Sequence, residues 1–245
     1  MWIRRQCSDA GRAIFTRRYN SRKMVDAFRV VVKTVKDIWG EMFNLVLMNL
    51  FTLLCMAVVI PGPPAVMALY AVCNRIANDY AVSWDHYFAA FREHFGKAWL
   101  YTIVSLVVTV LIAFNFWWYG ATFGNEVWVQ WVQGAWLAVA FFWLVINFYV
   151  FAFYMEQQDR RWRVAVRNSA LVAGANPLFT LVLLIVAGLL LIVSLAVTPL
   201  FVLLGLSIWA MFGSEAVVNR VNAYRKRIES QKPADGEPHG RKREV

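Results

Sequence analysis

Charged residues are the scarcest ingredient of this 245-residue sequence. Asp, Glu, Lys and Arg together make up 16% of the chain, against about 25% in ordinary soluble domains, and hydrophobic residues make up 60%. Four runs contain no charge at all: Met42–Asn74, Ala98–Asn125, Val127–Met155 and Asn168–Ser214. Uncharged apolar runs longer than about 18 residues are typical of membrane-spanning helices. A water-soluble fold is therefore excluded, because it could not cover this much apolar surface.

The sequence also lacks the patterns that carry most known chemistries. The apolar runs show no period-two alternation, which excludes transmembrane β-strands. The three cysteines form no recognisable disulfide or metal framework. There is no Walker loop, no G-x-S-x-G elbow and no G-x-G-x-x-G loop, and the spacing of Asp85, His86, Glu93 and His94 matches no metal-binding motif. We therefore expect no enzyme, and we predict no catalytic residue, no cofactor and no metal site.

Positive charge is present, but only between the apolar runs. The net charge is +10, and the 25 Lys and Arg residues fall before Gly40, between Asn74 and Lys97, between Met155 and Pro177, and after Asn219. The loop 119–127 has neither Lys nor Arg. Cytoplasmic loops of membrane proteins collect Lys and Arg, so both termini are predicted to be cytoplasmic and the 119–127 loop external. This distribution favours contact with lipid headgroups over nucleic-acid binding.

Hydropathy and turn residues divide the chain into an all-α, polytopic membrane protein of about six spans. The spans are expected at 43–60, 63–78, 98–118, 128–155, 178–197 and 199–217, forming a single domain over 24–225. Tryptophans at 117, 118, 128 and 131 mark the external boundary. The basic tail 226–245 is expected to be disordered.

Shorter segments between the spans have the pattern of interfacial helices. Beyond a basic arm, 1–23, apolar positions recur at helical spacing from Val25 to Trp39. Similar surface helices are expected after Ser83 and around the arginines of 160–167. The arm resembles a transit peptide, but an upstream extension with Met24 as the true start is equally compatible with the sequence.

The sequence does not determine how deeply the segment 61–78 enters the membrane. Because both flanking regions carry Lys and Arg, an even number of crossings must lie between them. Either 43–60 and 63–78 both cross, giving six spans, or they form a re-entrant hairpin, giving four spans plus that hairpin; the cost of irregular backbone in lipid favours six. The break at Pro61–Pro64 is either a tight external turn or, as in many transporters, a helix start at a substrate or anion site.

Polar groups inside the apolar runs are the candidate structural or functional positions, because they are costly in lipid unless they face protein or a cavity. Interhelical hydrogen bonds are the expected role of the asparagines. Arg75 and Glu215, at the cytoplasmic helix ends, either form an ion pair or extend separately to the membrane interface. An arginine cluster at the same side is a candidate lipid or partner contact. The candidate positions are Asn49, Pro61, Gly62, Pro63, Asn74, Arg75, Asn147 and Glu215, with Arg160, Arg161, Arg163 and Arg167 as the contact cluster.

Four sequence stretches together resemble the YesL-like bacterial integral membrane proteins, domain of unknown function family 624. They are the N-L-V-L-M-N-L-F run from Asn44, I-P-G-P-P-A-V-M-A-L-Y from Ile60, F-A-A-F-R-E-H-F from Phe88, and R-N-S-A-L-V-A-G-A-N-P from Arg167. The resemblance covers roughly residues 24–225. It implies a six-helix-type protein of the bacterial cytoplasmic membrane, often encoded near carbohydrate ABC-transport genes, and it supplies no reaction and no catalytic residues.

Two functions from different classes remain compatible with these observations. The first is a scaffold or accessory component without a catalytic site, with ABC-transporter subunits and the lipid bilayer as partners. The second is a small transporter with a site near the Pro61–Pro64 break. Inverted repeats are common in transporters, and the last hairpin contains no counterpart of the short second helix, which favours the scaffold.

Overall fold

The computed structural model describes residues 20–124, 126–157, 160–175, 177–196 and 198–231, without the side chains of 20–26, 195, 198–201 and 226–231. The predicted arm lies outside the described residues except for 20–23, and the predicted tail except for 226–231. All described elements are helices, so the all-α class is confirmed. The helices are α1 Asn20–Gly40, α2 Met42–Ala57, α3 Gly62–Ala77, α4 Trp84–Glu93, α5 Phe95–Phe123, α6 Val127–Glu156, α7 Trp162–Ala175, α8 Pro177–Ala196 and α9 Thr198–Gln231.

Among the described residues, four helices are long and apolar enough to cross a membrane: α5, α6, α8 and the 202–225 part of α9. They correspond to the last four predicted spans, which makes the chain a membrane-embedded protein. The count of six is not confirmed, because α2 and α3 have 16 residues each. At 1.5 Å per residue, each is about 24 Å long, against a hydrocarbon core of about 30 Å.

The helix ends follow from local backbone chemistry. Prolines stand at the first positions of α3 and at the start of α8, where a missing N–H costs nothing. Gly124, with φ of 68°, ends α5 and reverses the chain into α6. Between α2 and α3, Val59 has φ of 69° and its carbonyl accepts a hydrogen bond from Gly62 N at 3.1 Å. The break predicted at Pro61–Pro64 is thus a tight turn.

The centre of the protein is built around α3 and α9. Eleven of the 16 residues of α3 are buried. In the most apolar windows of the long helices, 67% of residues are buried in α9 but only 6% in α5. α5 packs chiefly on α6, with α3 against it as well, whereas α9 packs on α2, α3, α6 and α8. The interior therefore lies beside α3 and α9, and α5 forms one edge of the protein.

Gly213 permits the closest approach between α9 and α6. A Cβ atom at this position would lie 2.9 Å from the backbone oxygen of Phe148, whereas a Cβ at Gly188 of α8 would have nothing within 4 Å. We expect Gly213→Ala to lower the free energy of unfolding by about 1–3 kcal/mol through overpacking. Gly188→Ala should be neutral or slightly stabilising, because alanine favours helix. Thermal unfolding in detergent measures both; equal melting temperatures would contradict the tight contact.

The α2–α3 hairpin does not run along the full length of α5. The indole Nε1 of Trp99 donates to the backbone oxygen of Ile60 at 3.0 Å. Trp99 lies in the first turns of α5, which continues for another 24 residues beyond it. The hydroxyl of Tyr87, in the short helix α4, donates to Ala65 O at 3.2 Å near the start of α3. Both contacts place the turn of the hairpin close to the beginning of α5, which favours the re-entrant alternative.

The other end of the hairpin returns to α1. α1 meets α2 at an angle of 85°, so it runs across the axis of the hairpin. The side chain of Lys33 in α1 donates to Ala77 O at the last residue of α3, at 2.9 Å. The α2–α3 hairpin therefore begins and ends on the same side of the protein, as the distribution of Lys and Arg in the flanking regions requires. Large apolar side chains of α1 remain exposed there, as expected for an interfacial helix: Phe28, Val32, Val35 and Trp39.

Candidate functional site

Most of the ionic side chains that make described contacts meet at one end of the helices, which we call the charged end. Its centre is Lys33. The Lys33 Nζ atom donates to Glu215 Oε1 at 2.7 Å and lies 3.2 Å from Asp37 Oδ2 and 3.5 Å from Asp79 Oδ1. The Glu215 side chain is 3% exposed, while Lys33 is 36% exposed. One ammonium group thus joins α1, the end of α3 and the middle of α9, and neutralises a carboxylate that is otherwise inside the protein.

Lys33, not Arg75, is the partner of Glu215. Arg75 turns away and donates through Nη2 to Ala81 O at 3.4 Å, and its guanidinium carbon lies 5.7 Å from the centre of the Tyr80 ring. Arg75 therefore holds the loop that follows α3. The ion pair between Arg75 and Glu215 is therefore not formed, because Lys33 of α1 lies beside Glu215 and supplies its cation.

Glu156, at the end of α6, is a second junction at the charged end. Its Oε2 accepts from Asn74 Nδ2 at 3.1 Å and from Asn78 Nδ2 at 3.2 Å. Its Oε1 accepts from Arg225 Nη2 at 3.2 Å. Asn74, one of the predicted polar positions, thus connects α3 to α6, and Arg225 connects α9 to the same carboxylate.

A third junction surrounds His94, which lies between α4 and α5 and is 1% exposed. A guanidinium nitrogen of Arg160 donates to His94 Nε2 at 3.0 Å and also contacts the Glu93 carboxylate. Burial lowers the pKa of His94, so the ring is neutral near pH 7 and its Nε2 can accept the hydrogen bond. Burial alone would raise the pKa of Glu93, but the hydrogen bond and charge of Arg160 outweigh it and lower that pKa.

Of the four arginines in the predicted cluster, one is partly buried and contacts neighbouring side chains, and three are exposed. Arg160 has φ of 43° and turns inward to Glu93 and His94. Arg161, Arg163 and Arg167 are exposed. The opposite face of α7 packs against α6 through small buried residues, Ala165, Ser169 and Ala173. A surface available to lipid or a partner therefore contains three arginines.

The start of α3 offers no hydrogen-bond donor to an anion. Pro63 and Pro64 have no N–H, Gly62 N is bonded to Val59 O at 3.1 Å, and Ala65 N is bonded to Pro61 O at 3.0 Å. Anion sites at helix starts depend on free N–H groups. The reading of Pro61–Pro64 as an anion site therefore lacks the donors that it requires.

Two asparagines connect helices within the apolar region. Asn49 is fully buried; its Nδ2 donates to Val202 O at 2.7 Å, and its Oδ1 accepts from Ser207 N at 3.0 Å, which joins α2 to α9. Asn147 Oδ1 accepts from Tyr101 Oη at 2.8 Å and from Ser105 Oγ at 3.0 Å, which joins α6 to α5. These bonds satisfy the polar side chains where no water is expected.

The arrangement at the charged end is suited to joining helices. Within the ranges that the structure describes, no group of three or more His, Cys, Asp or Glu side chains could hold a metal ion. Sequence reasoning missed Lys33 and Glu156 as junctions. Lys33 looked like one of several basic residues on a surface helix, and Glu156 looked like the end of a span. Only the register of α1 against α9, set by tertiary packing, identifies their partners.

Comparison of the chain with known protein families supports the resemblance over part of the chain. A family model described as "Protein of unknown function, DUF624" matches residues 42–116, which extend from the start of α2 into α5. Three of the four stretches that carried the resemblance lie inside this range, and the stretch from Arg167 lies beyond it. No curated protein and no solved structure matches the chain. Over residues 42–116, the resemblance to DUF624 that the sequence indicated is confirmed.

Proposed function

We propose that the protein is a non-enzymatic scaffold or accessory component that associates with subunits of a carbohydrate ABC transporter. We place it in the bacterial cytoplasmic membrane with both termini and the charged end in the cytoplasm. The family resemblance supplies the link to carbohydrate transport. The distribution of Lys and Arg supplies the orientation.

The observation that carries the scaffold role is the uncovered surface of α5. Its most apolar window is only 6% buried, and its outward face presents Ile103, Leu106, Val107, Val110, Leu111 and Phe114. A helix packed on one side leaves the rest of its surface to lipid or to the helices of another protein. Helices of a partner can pack on such a face without any rearrangement of α3 and α9.

The paired charges are compatible with this role. The buried or largely buried Glu215 and Glu156 and the exposed Glu93 each have a cationic partner, so they stabilise the helix arrangement. The exposed Arg161, Arg163 and Arg167 lie on the side where an ABC transporter carries its nucleotide-binding subunits, if the charged end is cytoplasmic. Exposed arginines favour acidic protein surfaces or anionic lipid headgroups as contacts.

Co-purification tests this proposal. The protein is extracted from its host in mild detergent, and co-purified carbohydrate ABC-transporter subunits are quantified. We expect Val110→Trp to reduce their recovery, since overpacking an interface by about 1–3 kcal/mol weakens binding roughly five- to hundredfold. Leu189→Trp in α8 is the matched control, because Val110 and Leu189 are both 56% exposed. Absence of transporter subunits, or equal recovery with both variants, would overturn the proposal.

A small transporter is the second candidate, and one observation favours it. The α2–α3 hairpin with its turn beside the start of α5 resembles the discontinuous helices that transporters use at their sites. The absence of free N–H donors at the start of α3 argues against a site at Pro61–Pro64. Uptake of labelled sugars by vesicles that contain only this protein distinguishes the two: we expect no uptake above protein-free vesicles, and uptake would replace the accessory role with transport.

A further inference from the structure

Two neighbouring apolar cavities lie along one face of α6. A cavity of about 450 Å³ lies between α5 and α6, and a second cavity of about 220 Å³ lies between α3, α6 and α9. Both are lined by Leu144 and Asn147, so they adjoin each other. Together they follow α6 from Trp136 to Phe151, about 22 Å at 1.5 Å per residue. We call this feature the α6 groove.

The lining of the α6 groove has little capacity to bind a polar ligand. The hydroxyl of Thr109 donates to Ser105 O at 2.8 Å and accepts from Trp143 Nε1 at 3.1 Å. The amide of Asn147 donates to Trp143 O at 2.9 Å and accepts from Tyr101 and Ser105. These polar groups bond to one another. The rest of the lining is aliphatic or aromatic, apart from the Tyr70 hydroxyl and the indole N–H groups of Trp136 and Trp209. A sugar or an ion would lose its hydration and gain few partners.

The dimensions of the α6 groove favour a single hydrocarbon chain. The two cavities, about 450 Å³ and about 220 Å³, extend over about 22 Å of α6 and are therefore long and narrow. An α-helix with its side chains is about 10–12 Å in diameter, so a single hydrocarbon chain fits such cavities more readily than a helix does. The length is about two-thirds of a hydrocarbon core of about 30 Å, which suits an acyl chain.

The inner end of the α6 groove is lined by aromatic side chains, and the other end lies near the tryptophan-rich end of the α5–α6 hairpin. Tyr70, Phe148, Phe151 and Trp209 line the inner end, and the Tyr70 and Phe151 rings stack with their centres 5.1 Å apart. Phe116 lines the other end, next to Trp117 and Trp118. Tryptophan is enriched at the membrane–water interface, where lipid headgroups lie. A chain that enters there ends against the aromatic rings.

We propose that the α6 groove binds the acyl chain of a membrane phospholipid, with the headgroup near Phe116 and the end of the chain near Tyr70. The bound chain fills the space between α5 and the α3–α9 interior that no side chain occupies. This inference does not depend on the proposed accessory role. It concerns the face of α5 that meets α6, whereas the surface proposed for a partner lies on the outward side of α5.

Photolabelling tests the proposal. The protein is reconstituted into vesicles of phosphatidylethanolamine and phosphatidylglycerol with a trace of phosphatidylglycerol that carries a diazirine at the end of one acyl chain. After irradiation, labelled peptides are identified by mass spectrometry. We expect labelling of residues 66–70 in α3, because Val66, Leu69 and Tyr70 line the inner cavity. A diazirine placed next to the headgroup should instead label the region around Phe116.

Substitutions that fill the groove provide the control. Ala140→Trp should reduce labelling of residues 66–70 at least about fivefold, since an indole leaves no room for the chain. Ala113→Trp fills the same cavity from α5 and should do the same, provided that both proteins remain monodisperse in detergent. Ala138→Trp, on the exposed opposite face of α6, should leave labelling unchanged. Labelling confined to the outward face of α5, or equal in all variants, would reduce the proposal to ordinary bilayer contact and overturn it.

Discussion

Replacing Lys33 with methionine is expected to destabilise the protein more than any other single change at the charged end. The substitution leaves Glu215, 3% exposed, without its cation. Loss of one partner of a buried ion pair costs about 3–5 kcal/mol, and the lower end of that range applies because Lys33 is itself partly exposed. At about 2–4 °C per kcal/mol for a chain of this size, the melting temperature should fall by roughly 6–12 °C.

Two further variants make the Lys33 result specific. Lys36→Met, at an exposed position on the same helix, is the matched control and should change stability by less than about 0.5 kcal/mol. The double variant Lys33→Met/Glu215→Gln removes both charges and should be more stable than Lys33→Met alone. If the double variant is as unstable as the sum of the single changes, Lys33 and Glu215 do not act as a pair.

A cysteine at Ile60 should remain protected from a membrane-impermeant maleimide added to intact cells. Ile60 is the appropriate position because a Cβ at Gly62 would lie 3.2 Å from the backbone of Met56, while Ile60 is 65% exposed in the protein. The contact with Trp99 places Ile60 near the start of α5, which lies in the cytoplasmic half of the bilayer in the proposed orientation. A thiol held in an apolar environment is rarely ionised and reacts slowly.

The labelling experiment requires reference positions in a protein whose three native cysteines are alanine. Thr122→Cys, exposed near the end of α5, should react with external reagent. Arg163→Cys, exposed on α7, should react only after the membrane is made permeable. If Ile60→Cys reacts from outside as fast as Thr122→Cys, the α2–α3 hairpin crosses completely and the six-span arrangement is restored.

The long spans could be predicted from the sequence because their signal is local. An uncharged run of sufficient length specifies a membrane helix without reference to any other part of the chain. The predicted spans 98–118 and 128–155 lie within α5 and α6, and the predicted boundary between the spans 178–197 and 199–217 coincides with the start of α9. The lengths of the uncharged runs and the positions of prolines and glycines were sufficient to predict this part of the fold.

The depth of the α2–α3 hairpin could not be predicted in the same way. Two helices of 16 residues are long enough to cross a thin bilayer and short enough to turn back inside it. The contacts that distinguish these arrangements, Trp99 to Ile60 and Tyr87 to Ala65, join residues that are 39 and 22 positions apart. Their formation depends on how α4 and α5 pack, which hydropathy does not encode.

Some of the candidate polar positions could likewise be predicted from the sequence, whereas the partners of others could not. Asn49 and Asn147 could be selected because a polar side chain in an apolar run requires a partner nearby. The partner of Glu215 could not be selected from the sequence, because several cations lie at the same end of the helices. Arg75 also lies within a predicted span, whereas Lys33 does not. Arg160 likewise looked like a member of an exposed cluster, but its backbone conformation turns the side chain towards Glu93.

Lys33 and Glu215 are far apart in the sequence, so the ribosome makes them at different times. The two residues are 182 positions apart. At about 5–20 residues per second, a ribosome that has finished α1 needs roughly 10–35 s before it has made the carboxylate that Lys33 will bind. During this interval α1 and the returning end of α3 lack their connection to α9. The first described helix to emerge thus forms its ion pair with α9 among its last contacts, and a chain that stops before Glu215 leaves Lys33 without that partner.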